Sequence, residues 1–339
     1  MWLDELAAFL VALAVASAGT AYVRARAIAA GRIDVPNSRS SHITPTPRGG
    51  GLAIVVVVLV VALIATAANM LGTGEGTALL VGGSLVALIG YRDDRDTLAI
   101  VPRLAVQLMA AVLTVLLLCK EGCALPRVPA LVAIPLLVLA VTWSINLFNF
   151  MDGIDGLAAS QALFVMLATA GLIAVQHGAG TSTLLLPVVT AGACAGFLTW
   201  NWPPARIFMG DVGSGFLGYW LAALALVLDH SGVLSVWTTA TLMSVFTADA
   251  TMTLLGRMLR GERWYDAHRS HAYQNLARRW NSHRKVSALL WVINLLFVLP
   301  MAALSVVERG RAPQIAVATL AALAGLAWLA GSGRDRPET

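Results

Sequence analysis

A helix that crosses a bilayer needs roughly 20 largely apolar residues, and this chain supplies one such run after another. They fall at 3–23, 49–71, 77–91, 101–119, 129–147, 156–176, 184–200, 213–228, 232–256, 286–307 and 312–330, with short polar segments between them. The third is short, so its ends are the least defined. Of 339 residues, 58% are hydrophobic and only 12% charged, a balance that a water-soluble domain would have to hide in a very large core. The expected fold is therefore all-α: a polytopic membrane helical bundle of about eleven spans, forming one integral membrane domain over 1–339.

The first run opens on Asp4 and Glu5, and its positive charges, Arg24 and Arg26, come after it. That is the reverse of a secretory signal, which predicts an uncleaved helix. Lys and Arg collect on the cytosolic side of membrane proteins. Of the 23 here, all but Lys120, Arg127, Arg309 and Arg311 lie in, or at the mouth of, the connections after the first, third, fifth, seventh, ninth and eleventh runs. The N-terminus is thus expected outside and the C-terminus in the cytosol. The net charge of +5 then needs no nucleic acid, since a basic cytosolic face attracts anionic lipid and phosphate. Cys119 and Cys123 fall on the outer side, where they either pair or, as the simpler expectation, stay as thiols near a helix end.

Carboxylates follow the same side, although charge sorting barely constrains them. A cluster of acids beside arginines asks for another cause, and a metal–phosphate site supplies one. The first cytosolic segment ends Pro45-Thr-Pro-Arg48-Gly49-Gly50-Gly51; its glycines let backbone N–H groups approach either an anion or a neighbouring helix. In Arg92-Asp93-Asp94-Arg95-Asp96, adjacent carboxylates need a cation, a shared proton or arginine partners. Mg2+, with Mn2+ as a substitute, takes one or two carboxylates plus substrate phosphates; a solvated helix-end charge run is the other reading.

The third segment, Asn149-Phe-Met-Asp152-Gly-Ile-Asp155-Gly156, is a polar turn in which Asp155 either caps the next helix or, with Asp152, faces a nucleobase. The fourth runs from Asn201 through Phe208 to Gly210-Asp211-Val-Gly213; Asp211 is a helix cap or a metal ligand, and Phe208 a stacking platform or an interface aromatic. The fifth is basic and holds His268-Arg269-Ser270-His271. It lacks a third close ligand for zinc, so phosphate contact is preferred. Asp249 lies inside the ninth run, with Arg257 eight residues on; an Asp–Arg pair and a substrate role are both open.

Taken in order, these segments resemble the polyprenyl-phosphate N-acetylhexosamine-1-phosphate transferases, the family of phospho-MurNAc-pentapeptide translocase and of the initiators of O-antigen and teichoic acid synthesis. The resemblance runs from about Asp34 to Asn275. It implies that Asp93 and Asp94 are the paired aspartates handling lipid phosphate or metal, and that Asn149, Asp152 and Asp155 serve the nucleotide end. It makes Asp211 the Mg2+ ligand and His268 and His271 the histidine motif, in a cleft open to the cytosol. Ser40 replaces a lysine of the enterobacterial-common-antigen type, and His-Arg-Ser-His replaces the muramyl-peptide enzyme's triple histidine. Both departures look more like the O-antigen initiators of pseudomonads, with GlcNAc- or FucNAc-type donors.

The implied reaction joins undecaprenyl phosphate to the sugar phosphate of a UDP-N-acetyl sugar at the bacterial inner membrane and releases UMP, by direct attack or through a covalent aspartyl intermediate. Asp93 and Asp94 with His268 and His271 are the expected catalytic set. Arg48, Asn149, Asp152, Asp155, Asn201, Phe208 and Arg269 are expected to bind substrate. Membrane lipid is the surrounding partner, and association into a homodimer is allowed. The rival class is a secondary transporter with Asp249 as coupling residue.

Overall fold

The computed structural model describes residues 2–36, 44–119, 125, 128–263 and 268–334. Ser40 and Cys123 lie outside the described residues, and with them the Ser40 comparison and the Cys119–Cys123 pairing. The chain opens with α1 (Trp2–Ala29), then the antiparallel pair β1 (Ile33–Asp34) and β2 (Thr46–Pro47), then α2 (Leu52–Ala67). Six longer helices follow: α3 (Thr73–Asp96), α4 (Ile100–Leu118), α5 (Ala130–Met151), α6 (Leu157–His177), α7 (Ser182–Asn201) and α8 (Asp211–His230). The chain continues through α9 (Val236–Leu242), α10 (Ser244–Leu259), α11 (Ala272–Trp280), α12 (His283–Val307) and α13 (Arg309–Ala330).

Among the described residues, nine helices are long and apolar enough to cross a membrane, and the fold is the expected helical bundle. Its centre is α8, 89% of whose apolar window is buried against 17% for α1. Outward-facing residues such as Leu131, Val175 and Leu296 are large and apolar, as a lipid-facing surface requires.

Several boundaries differ from the sequence expectation, each for a local reason. The first helix continues to Ala29 because its arginines find partners along the way: Arg24 donates to the Arg206 carbonyl and lies over the Trp200 ring, and Arg26 lies over Tyr22. The third run extends from Thr73 to Asp96 through a π turn at Ala78–Gly82. That turn leaves the Ala78 carbonyl to accept the buried Tyr219 hydroxyl at 2.6 Å, which Thr114 also meets at 2.6 Å. Asp93 and Asp94 therefore stand on the last turn of a helix. The ninth run is not one helix; it is interrupted at Met243, between α9 and α10, where Thr241 and Ser244 turn their hydroxyls back onto nearby carbonyls.

Two close approaches fix where α8 begins. A side chain at Gly51 would lie 2.4 Å from the Gly213 Cα, and one at Gly90 would lie 2.4 Å from the Asp211 carbonyl oxygen. The ends of α2 and α3 can thus press directly on the first turn of α8. The anion-cradle reading of the glycine triplet is corrected by the same geometry. The Gly49 and Gly50 N–H groups donate to Phe208 and Gly51 donates to Met209, so those donors are already spent.

Candidate active site

The start of α8 is where the acidic segments meet. Both oxygens of Asp94 accept N–H groups there, from Asp211 at 2.9 Å and Val212 at 3.0 Å. Asp94 therefore caps α8 from a neighbouring helix, satisfying donors that a helix start leaves orphaned, and Asp211 is left at the first helical position with its carboxylate free to face outward. Gly210, at φ 77°, makes the turn that permits this, and a side chain there would strike the Asp94 carboxylate.

Two arginines bind the carboxylates together. Arg48 reaches Asp94 Oδ1 at 2.9 Å and Asp211 Oδ1 at 2.7 Å. Arg103 reaches Asp93 Oδ2 at 2.6 Å and Asp211 Oδ2 at 3.6 Å. Asp93 also accepts the Leu98 N–H at 2.6 Å, and Arg103 ties its carboxyl to that of Asp211. Asn149 bonds to both Asp211 and Ser214. Arg103 was not anticipated by the sequence reading, which absorbed it into an apolar span; a lone arginine in the first turn of such a span was the available signal.

Arg48, Asn149 and Asp211 form one wall of a cavity of about 260 Å³, and Asp93, Asp94 and Arg103 are tied to that wall through Arg48 and Asp211. Asp152, Asp155, Asn201 and Phe208 line the rest, together with Asp34, Gln274 and His283, which the sequence reading did not single out. Burial pushes the Asp152 carboxyl well above the usual carboxylate range, Arg48 pulls it back, and the charges of Asp211, Asp94 and Asp155 raise it further. Asp155 does not cap α6, whose cap is Gly156. It accepts the Ala205 N–H at 3.0 Å and lies 3.3 Å from His283 Nδ1. Asn201 braces the wall, accepting from Gly156 and donating to the Ile207 carbonyl, each at 2.9 Å. Phe208 offers a half-buried ring beside the carboxylates.

His268, Arg269 and His271 are not part of that lining. The two histidine rings lie 5.0 Å apart in an adjoining cluster built on Asp249. Burial, then the neighbouring His271 and Arg257, lowers His268 to about 4, so near neutral pH it is an uncharged hydrogen-bonding group. The cluster touches the cavity through α11: Gln274 lines it, and the Tyr273 hydroxyl donates to the Phe150 carbonyl at 2.9 Å.

Of the two readings open for Asp249, the pair with Arg257 does not form. Arg257 pairs with Glu262 at 2.8 Å. Asp249 instead accepts the Ala272 and Tyr273 N–H groups at the start of α11, at 2.8 and 3.0 Å, and the hydroxyls of Ser332 and Thr253, at 2.8 and 3.2 Å. A coupling residue has to take up and release an ion. This carboxylate is buried and fully engaged in anchoring α11 to α10 and to the turn after α13, which removes the basis of the transporter reading.

Among the described residues, no three His, Cys, Asp or Glu side chains converge as a self-sufficient metal site. The donor set nevertheless suits Mg2+ that arrives with phosphates. It consists of hard oxygens, Asp93 and Asp211 share Arg103, and three carboxylates face two guanidinium groups. Mg2+ commonly takes one or two carboxylates and completes its shell with substrate and water.

The sequence profile of glycosyl transferase family 4 matches residues 76–229. A probable undecaprenyl-phosphate N-acetylglucosaminyl 1-phosphate transferase of Bacillus subtilis is 32% identical over 305 residues, covering 86% of this chain and 82% of the relative. A decaprenyl-phosphate N-acetylglucosaminephosphotransferase of Mycolicibacterium smegmatis is 33% identical, covering 80% and 76%. A phospho-N-acetylmuramoyl-pentapeptide-transferase of Streptococcus pneumoniae is 30% identical, covering 74% and 82%.

Proposed function

This chain belongs to glycosyl transferase family 4 and is a polytopic sugar-1-phosphate transferase, and on that premise we propose that it transfers an N-acetylhexosamine 1-phosphate from a UDP-sugar to undecaprenyl phosphate. The observation that carries the reading is the arginine-bridged set Asp93, Asp94 and Asp211, of which Asp211, with Arg48, lines a polar cavity together with Asp152, Asp155 and Phe208. The relatives named for polyprenyl-phosphate N-acetylglucosamine transfer support this donor and acceptor class.

In the reaction an oxygen of the lipid phosphate attacks the sugar-bearing phosphorus. A new P–O bond forms, the bond to the bridging oxygen of UDP breaks, and UMP leaves with that electron pair. Phosphoryl transfer depends chiefly on positioning and on fixed charge where charge develops. Arg48 and Arg103 supply the fixed charge, held in place by the carboxylates they bridge. Asp93, whose two oxygens meet the Leu98 N–H and the Arg103 guanidinium, holds Arg103 in place to orient the incoming phosphate. Phe208 stacks on the base, and the Asp152–Asp155 turn offers a carboxyl group to the single N–H donor of the uracil ring. Asp211, with Asp93 beside it, would hold Mg2+, which neutralises phosphate charge when bound.

The cytosolic face of a bacterial inner membrane is the setting this chemistry requires, with nucleotide sugar on one side and lipid carrier on the other. The positive-inside distribution of Lys and Arg supports that orientation. The product opens the synthesis of a cell-surface polysaccharide, O-antigen being the branch that the loop motifs resemble. The test is a panel of UDP-N-acetyl sugars offered to the purified enzyme with undecaprenyl phosphate: one of them should yield UMP and a lipid-linked diphosphate sugar, and release from none would overturn the assignment.

A further inference from the structure

The first turn of α11 is pinned to the turn that carries Asp152. The buried Tyr273 donates its hydroxyl to the Phe150 carbonyl at 2.9 Å, one of the carbonyls that the end of α5 leaves without a partner inside the helix. A side chain at Gly153 would strike that hydroxyl and would lie 3.1 Å from the amide nitrogen of Gln274. Gln274 therefore stands beside the Asp152–Gly153 step, and both Gln274 and Gly153 line the 260 Å³ cavity.

The direction in which the Gln274 amide points is set by its own helix. Gln274 is the third residue of α11 after the cap residue His271, and its Oε1 accepts the His271 N–H at 3.3 Å, one arm of a capping box. A backbone N–H is met only by the amide oxygen, so Nε2 is turned the other way, towards Gly153. That nitrogen carries two hydrogens, enough for the neighbouring Tyr273 hydroxyl and for a ligand. The other side-chain amides of the lining face the protein: Asn201 donates to the Ile207 carbonyl and Asn149 to the Ser214 hydroxyl.

Uracil presents three groups in a row, the C2 carbonyl, the N3–H and the C4 carbonyl. Cytosine keeps the first but carries a bare nitrogen at position 3 and an amino group at C4. With the N3–H on a carboxyl group of the Asp152–Asp155 turn, the group beside that turn on the side away from the ribose meets either a carbonyl oxygen or an amino group. A locked N–H donor there satisfies the first and leaves the second unpaired.

We propose that Gln274 is a specificity-determining residue for the donor: its Nε2 donates to the C4 carbonyl of uracil, and the capping bond to His271 excludes cytosine by keeping the amide from turning round. This rests on the transferase reading above and deepens it by naming the side chain that reads the base.

The experiment uses the full-length enzyme in phosphatidylcholine nanodiscs. Initial rates of lipid-linked sugar formation from undecaprenyl phosphate and the radiolabelled UDP-sugar are measured against added UMP and, separately, added CMP. Q274E keeps an oxygen for the His271 N–H, since glutamate serves the same capping-box position, but it has no N–H to give. The preference for UMP over CMP as inhibitor should shrink by about tenfold, without reversing, because the Asp152–Asp155 turn still selects the N3–H. A purely structural role, or the added negative charge alone, weakens both nucleotides alike; an unaltered UMP-to-CMP ratio in an active Q274E enzyme overturns the proposal. A second measurement needs no variant. Sulfur accepts hydrogen bonds poorly, so 4-thio-UMP should inhibit wild type about fivefold less than UMP, and equal inhibition by the two also overturns it. Failure of wild type to form any lipid-linked sugar condemns the transferase reading instead.

Discussion

Arg48 and Asp211 stand 163 residues apart in the chain and meet at 2.7 Å. The contact joins the segment before α2 to the first turn of α8, and it does so on the wall of the 260 Å³ cavity. Arg48 holds Asp94 and Asp211 in one geometry, and the two carboxylates keep its guanidinium fixed for a phosphate.

Replacing Arg48 should therefore cost chemistry more than stability. Its side chain is 41% exposed, so solvent screens the stability it supplies, whereas a positioned charge at a reacting phosphate is worth roughly two to three orders of magnitude in kcat. R48Q should show that loss in a UMP-release assay with little change in thermal unfolding. R48K should recover only part of it, because an ammonium cannot bridge two carboxylates as a planar fork does. Full activity in R48Q would remove Arg48 from the mechanism.

His283 belongs to none of the motifs in the sequence, yet its Nδ1 lies 3.3 Å from Asp155 Oδ2 at the edge of the cavity. It acts through Asp155, as a positioning residue for the nucleotide end. H283A should raise the donor KM by about fivefold, the effect of roughly one lost hydrogen bond, and leave the acceptor KM unaltered. H283N should restore part of the loss. Equal changes in both KM values would point to a general disturbance of the fold.

The histidine cluster carries a pH signature. His268 titrates at about 4 in the folded protein against 6.5 ordinarily, because burial disfavours its charged form. Between those values the unfolded chain binds a proton that the folded chain does not, so stability falls as the pH drops through that window and is fully present above it. Thermal unfolding of the solubilised enzyme should show this decline from pH 6.5 to 4, and H268Q should flatten it. A slope identical in H268Q would place the titration elsewhere.

The class of fold was legible because bilayer length is a hard constraint and the apolar runs were long. Less legible were features set by neighbouring helices. The π turn that serves Tyr219, the interruption at Met243 and the loss of the glycine triplet's donors to Phe208 and Met209 all follow from tertiary contacts. At the site, Asp93, Asp94, Asn149, Asp152, Asp155 and Asp211 were visible as acids and amides crowded into connections on one side, and the structure brings them together. Arg103 was hidden by its apolar surroundings. Asp249 drew attention as an acid within a helix, but spacing alone suggested Arg257, when its partners were backbone amides of α11 and Ser332, on segments distant in sequence.

The most direct test of the central claim is UMP release by D211N, assayed with UDP-N-acetyl sugar, undecaprenyl phosphate and Mg2+ while helix content is followed by circular dichroism. Asp211 holds both arginines and faces the cavity, so the account requires release to fall by roughly three orders of magnitude with the helices intact. Turnover in D211N equal to that of wild type would contradict it.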